Sequence, residues 1–145
     1  MIVFVGGCVS GGKGIPSANP GFIPKETYNV DYDLMWTKVV STLNRNQIQI
    51  TKSAKDTGQI STGYVEGPSF AVLPVAGNYS RYKYNIFITR DGPTRTTVAI
   101  SPIIESSMIG SDGGSPFHDV TSANPANASR LKNWLYEQLE ASMTS

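Results

Sequence analysis

Residues 81–90, RYKYNIFITR, limit the fold more narrowly than any other stretch of this chain. Tyr82, Tyr84, Ile86 and Ile88 alternate with Lys83, Asn85 and Thr89. A period of two puts four large apolar side chains on one face of a strand and leaves the other face polar. Asp91-Gly92-Pro93 then turns the chain, and residues 96–104 return with Val98 and Ile100 facing inward. Pro102 marks a strand end or a bulge, where a missing N–H is tolerated. A hairpin that is apolar on one face needs a cover for that face.

Two amphipathic helices supply it. Residues 32–45 open with Asp31 as N-cap and Asp33 in the first turn and end on Arg45, each charge on the favourable side of the helix dipole. Tyr32, Trp36, Val39, Val40 and Leu43 form one stripe at helical spacing. Near the end of the chain, Asn124-Pro125 reads as a cap followed by proline at the first helical position. Ala128, Leu131, Trp134, Leu135 and Leu139 then make a second stripe. Residues 25–30 are a short extended segment. Ile48 and Ile50 alternate with polar neighbours, Lys55 to Gly58 turn the chain, and residues 59–65 come back. Residues 67–80 form a loop whose apolar centre, 70–75, packs down or makes a short strand. Residues 105–123 read as a long polar loop. The order β-α-β-β-β-β-α predicts an α+β fold of two layers. In it, an antiparallel sheet of about four to five strands is packed by two helices, similar to the helix-grip arrangement.

At 145 residues the chain has room for one such domain, over 25–145. Residues 1–8, MIVFVGGC, place a short apolar run and two glycines before the only cysteine. The small-small-Cys ending resembles the end of a bacterial lipoprotein signal in shortened form, which makes Cys8 the expected lipid attachment site; the plainer alternative is a short buried strand with an inert thiol. Residues 9–24 have the Gly/Ser/Pro composition of a flexible tether, spanning roughly 20–24 Å root-mean-square.

Few residues suggest chemistry. A net charge of +1 argues against a dedicated nucleic-acid binder. One Cys and one His exclude cysteine-cluster and multi-histidine metal sites, and no cofactor is expected. His118 beside Asp119 is a candidate general base, with Ser106, Ser107, Ser111 or Ser115 as nucleophile. The plainer reading is a solvated loop histidine with Asp119 capping a turn, and no G-x-S-x-G elbow is present. Ser111 to Gly114 lack the spacing of a calcium loop, and Gly11 to Gly14 lack that of a phosphate-binding loop. Arg81, Lys83, Arg90 and Arg95, with Lys52 and Lys55 nearby and Tyr79, Tyr82 and Tyr84 interleaved, form a possible basic interaction patch. It would contact anionic lipid, glycan or an acidic partner, unless it is a solvated edge protected by charge.

Val30-Asp31-Tyr32-Asp33 with Trp36, then Ile48 and Ile50, then the hairpin residues Lys55 to Thr62, behind a cysteine and a tether, resemble small bacterial lipoproteins with a BamC-like domain. The resemblance covers residues 25–66 in motif and the rest by element order. It implies a non-catalytic, lipid-anchored scaffold, an accessory subunit of a membrane-associated assembly in the envelope. Such a protein faces the periplasm, most often from the outer membrane, and its partners are envelope proteins. The resemblance carries over no catalytic residue. The alternative is a lipid or small-ligand carrier, with Trp36, Trp134 and the tyrosines lining a cavity between sheet and helix.

Overall fold

The computed structural model describes residues 16–67, 78–108 and 117–144. Residues 1–8 with Cys8, the first part of 9–24, the apolar stretch 70–75, and Ser111 and Ser115 lie outside them.

The fold is α+β in two layers. Along the chain come β1 (Thr27–Tyr28), α1 (Tyr32–Arg45), β2 (Ile50–Ala54), β3 (Gln59–Thr62) and β4 (Val65–Gly67). They are followed by β5 (Asn78–Gly92), β6 (Arg95–Met108), β7 (His118–Asp119), a 3-10 turn (Thr121–Ala123) and α2 (Pro125–Thr144). All pairings are antiparallel, in the order β1-β6-β5-β3-β2, with β4 also on β5 and β7 also on β6. Among the described residues the sheet thus has seven strands rather than four or five. The additional ones, β4 and β7, have three and two residues, too few to show an alternation. The expected loop 105–123 is corrected in the same way. β6 runs on to Met108, and His118 sits on β7 opposite Ser106 rather than on a loop.

Tyr82, Tyr84, Ile86 and Ile88 all face the helices and are buried, with Val98, Ile100 and Ile104 beside them. Both helices lay one stripe on this face: Tyr32, Met35, Val39, Thr42 and Leu43 from α1, and Leu131, Leu135, Tyr136 and Leu139 from α2. Trp36 and Trp134 pack only partly, at the rim. The Asp31 side chain accepts from the Leu34 N–H at 2.8 Å and starts α1. The helix ends without glycine. Gln47 takes a left-handed φ of 61°, Ile48 N–H donates to Leu43 O, and Gln47 N–H donates to Asn44 O, the two bonds of a Schellman cap.

Asn19-Pro20-Gly21-Phe22 forms a β-turn, with Gly21 at φ 84° and a Phe22 N–H to Asn19 O bond of 3.1 Å. The backbone N–H groups of Asn19 and Lys25 then donate to Glu137 and Glu140 of α2. The end of the stretch expected as a tether is therefore fastened to the domain.

Both outer edges of the sheet are guarded. β6 is bordered by β1 at Thr96–Thr97 and by β7 at Glu105–Ser106, which leaves the backbone between them open to another strand. Tyr136 Oη donates to Val98 O and accepts from Ile100 N–H; Thr121 Oγ1 accepts from Ile104 N–H. Pro102 has no N–H to offer. This is why proline is tolerated mid-strand: its position lies on an edge. On the opposite edge, β2 carries Lys52 and a register shift between Ile50 and Lys52. Lysine and bulges both discourage strand addition.

Candidate functional site on the outer face of the sheet

The face of the sheet away from the helices carries Arg81, Lys83, Asn85, Phe87 and Thr89 from β5. The β6 register sets Glu105 opposite Arg81, Ser101 opposite Asn85 and Ala99 opposite Phe87. β3 adds Gln59 and Ser61, and β2 adds Lys52 opposite Ser61. Phe87 is 47% exposed at the centre of this polar field.

A bulge builds one end of the face. β3 leaves β5 after Ser61, and β4 rejoins it at Val65, so Thr62, Gly63 and Tyr64 stand against only Lys83 and Tyr84. The Thr62 hydroxyl takes the vacated ladder position by accepting from Tyr84 N–H at 2.9 Å. Tyr64 is thereby turned over the outer face. The Arg81 guanidinium lies between two rings, 3.7 Å from the centroids of Tyr64 and Phe117. It also reaches Glu105 through Nε at 3.0 Å and through its terminal nitrogen at 2.8 Å. Tyr64 Oη donates to the other Glu105 oxygen at 3.1 Å. The ammonium of Lys83 sits 4.8 Å from the Tyr64 centroid. Each such stack is worth about 0.5–2 kcal/mol, so several contacts hold the cluster together before anything binds.

The four-residue basic patch does not form as one surface. Arg81 and Lys83 are together, but Arg90 is nine residues further along β5, about 30 Å away. Arg90 stacks on Tyr32 at 4.0 Å, Arg95 pairs with Asp91, and Lys55 pairs with Asp33. Arg81 is neutralised by Glu105. Among the described residues, Lys83 and Lys52 have no carboxylate partner. Tyr82 and Tyr84 point into the core, with Tyr84 Oη donating to Leu131 O at 2.9 Å. Burial pushes their phenols up. Tyr64, Phe117 and Glu105 went unnoticed in the sequence; an aromatic two residues past a strand end was the only available signal.

His118 is exposed on β7. Asp119 accepts from Thr121 N–H and Oγ1 through Oδ1, at 2.9 and 2.7 Å. These hydrogen bonds hold its carboxyl below the usual range. Asp119 is therefore engaged by Thr121 in an Asx turn that leads into the 3-10 turn, rather than orienting an imidazole. Ser107 is buried. Among the described residues no group of three or more His, Cys, Asp or Glu could hold a metal ion. No helix among them is long and apolar enough to cross a membrane. The void between helices and sheet, lined by Val39, Leu43, Ile86, Ile100 and Leu135 among others, is about 10 Å³. That is room for about one water, and neither tryptophan lines it.

No protein-family model matches the chain, and no curated protein matches it either.

Proposed function

We propose that this chain is a non-catalytic, lipid-anchored interaction domain of a bacterial envelope. It is held to the membrane through Cys8 and docks a protein partner of a larger assembly on the outer face of its sheet. The anchor rests on the cysteine motif and the resemblance to BamC-like lipoproteins. The docking surface rests on one observation, the Tyr64–Arg81–Phe117–Glu105 cluster with Lys83 at one end of a face that also carries exposed Phe87, about 20 Å along β5, and Lys52. Preorganised aromatic and arginine side chains are what protein interfaces use as anchors. Two unpaired lysines suit a partner surface with acidic groups around an apolar centre. The guarded edges make strand addition an unfavourable mode, which leaves the face.

Two experiments test the two halves. Cys8→Ser should move the protein from the membrane to the soluble fraction with its fold intact; a variant that fractionates like wild type sinks the anchor. A photo-crosslinking residue at Phe87 should trap one envelope protein, while the same residue at Leu34, exposed on α1, should not. Equal crosslinking at both positions removes the face-specific reading.

A further inference from the structure

Residues 19–26 form a strap across α2 whose attachments are few and polar. Asn19 N–H donates to Glu137 Oε2 at 3.1 Å, and Lys25 N–H donates to Glu140 Oε2 at 3.2 Å. Tyr28 Oη donates to the same Glu140 oxygen at 2.9 Å. Glu137 and Glu140 are one helical turn apart, so their carboxylates act as two pegs in a row. Apolar fastening is slight. Phe22 packs partly against the core, while Ile23 is 82% exposed. A hollow of about 300 Å³, lined by Lys25, Thr27, Tyr28, Glu140 and Met143 among others, opens beside the last residues of the strap. At the strap's end, Glu26 turns through a left-handed φ of 71°, its carbonyl accepts from Val98 N–H at 2.8 Å, and β1 joins the sheet. The strap therefore ends at a firm point, where the sheet begins.

We infer that this strap is a releasable latch that sets how far the domain can stand from Cys8. Its consequence for a membrane-bound protein rests on the proposed anchoring. Eleven residue steps separate Cys8 from Asn19, and nineteen separate it from Thr27. At 3.3–3.6 Å per residue, full extension gives at most about 36–40 Å with the strap docked and about 63–68 Å with it released. Docking also fixes the side of departure. The chain leaves over α2, so the helical layer is tied toward the anchor and the outer sheet face is left for a partner.

The single cysteine makes the test direct. Nitroxides are placed on Cys8 and on the thiol of Asn44→Cys, an exposed position on α1, in the unacylated full chain in solution. The distance distribution is compared with that of the Glu137→Ala/Glu140→Ala double variant. The variant should broaden toward longer distances, by roughly 5 Å in the mean for a coil-like tether. Trypsin cleavage after Lys25 should rise roughly tenfold with the loss of two charge-assisted bonds. Asn19→Pro deletes the N–H donor to Glu137 without touching α2 and should shift both readouts the same way, which keeps the test open if the double variant folds poorly. Unchanged distances overturn the latch, whether or not cleavage accelerates. Because neither readout involves a membrane, that result is separate from a failure of Cys8 to anchor.

Discussion

Replacing Tyr136 with phenylalanine removes one oxygen atom and strands two backbone groups. The Tyr136 hydroxyl donates to Val98 O at 2.5 Å and accepts from Ile100 N–H at 3.2 Å, and both residues are buried. A buried polar group left without its partner costs about 1–3 kcal/mol. Two such groups set an upper range of about 2–6 kcal/mol. Two features lower it. The phenol was itself desolvated, since burial pushes its pKa up to about 12, and that penalty is relieved. A hollow of about 290 Å³ lined by Ile100, Ser101, Pro102, Thr121 and Lys132 among others gives water a route to the Ile100 amide. The expected loss is about 2 kcal/mol, or a midpoint some 6–10 °C lower for a domain of this size. Thermal unfolding by circular dichroism measures it. Hydrogen exchange locates it, because the Ile100 amide should exchange at least about 30-fold faster in the variant. A midpoint within 2 °C of wild type, with Ile100 still protected, would refute the argument that Tyr136 closes this edge.

Other positions give equally definite expectations. Gly58 has φ 81°, and a Cβ there would lie 2.0 Å from the Ile88 carbonyl oxygen; Gly58→Ala should cost about 2–4 kcal/mol in urea unfolding, and a neutral result would mean that the β2–β3 turn is packed differently. Arg81→Lys keeps the charge but loses the planar contact with both rings and the two-nitrogen grip on Glu105. It should destabilise by about 1–2 kcal/mol, and unchanged stability would show that the stack is not formed in solution. Burial raises the phenols of Tyr28, Tyr82, Tyr84 and Tyr136, the last to about 12. The folded state thus binds protons that the unfolded chain releases near pH 10. Stability should be fully present below that pH and fall as pH rises through the folded values. Tyrosinate absorbance should therefore appear together with unfolding, and smooth ionisation of all seven tyrosines without loss of structure would contradict it.

The parts of the fold legible in the sequence are those where burial imposes a period. The period of two in residues 81–90 identified the buried face of β5, and the capping chemistry of Asp31 and Asn124-Pro125 located both helix starts. Legibility fails where pairing replaces burial. β7 and the far ends of β5 and β6 are held by ladder bonds between Ser, Asn, Glu and His residues with no apolar stripe, so 105–123 reads as loop. The end of α1 was legible from Arg45, but its cap uses Gln47 in a conformation usually left to glycine. Buried positions filled by Met35 and Tyr136 rather than by the tryptophans follow from where each helix meets the sheet, which the stripes alone do not specify. For the candidate site, Arg81 and Lys83 were visible as cations on a strand. Their split from Arg90 and Arg95, and the rings around Arg81, depend on strand length and on the bulge at Thr62 to Tyr64.

In the proposed function, the outer face of the sheet holds a protein partner while Cys8 holds the membrane. Affinity purification of the full-length protein from detergent-solubilised envelope decides this when wild type is run beside Lys83→Glu/Phe87→Ser. One stoichiometric envelope complex is expected with the acylated wild-type protein, and its loss from a folded, still acylated variant. Recovery of a lone acylated monomer from wild type, or a complex that survives the variant unchanged, would contradict it.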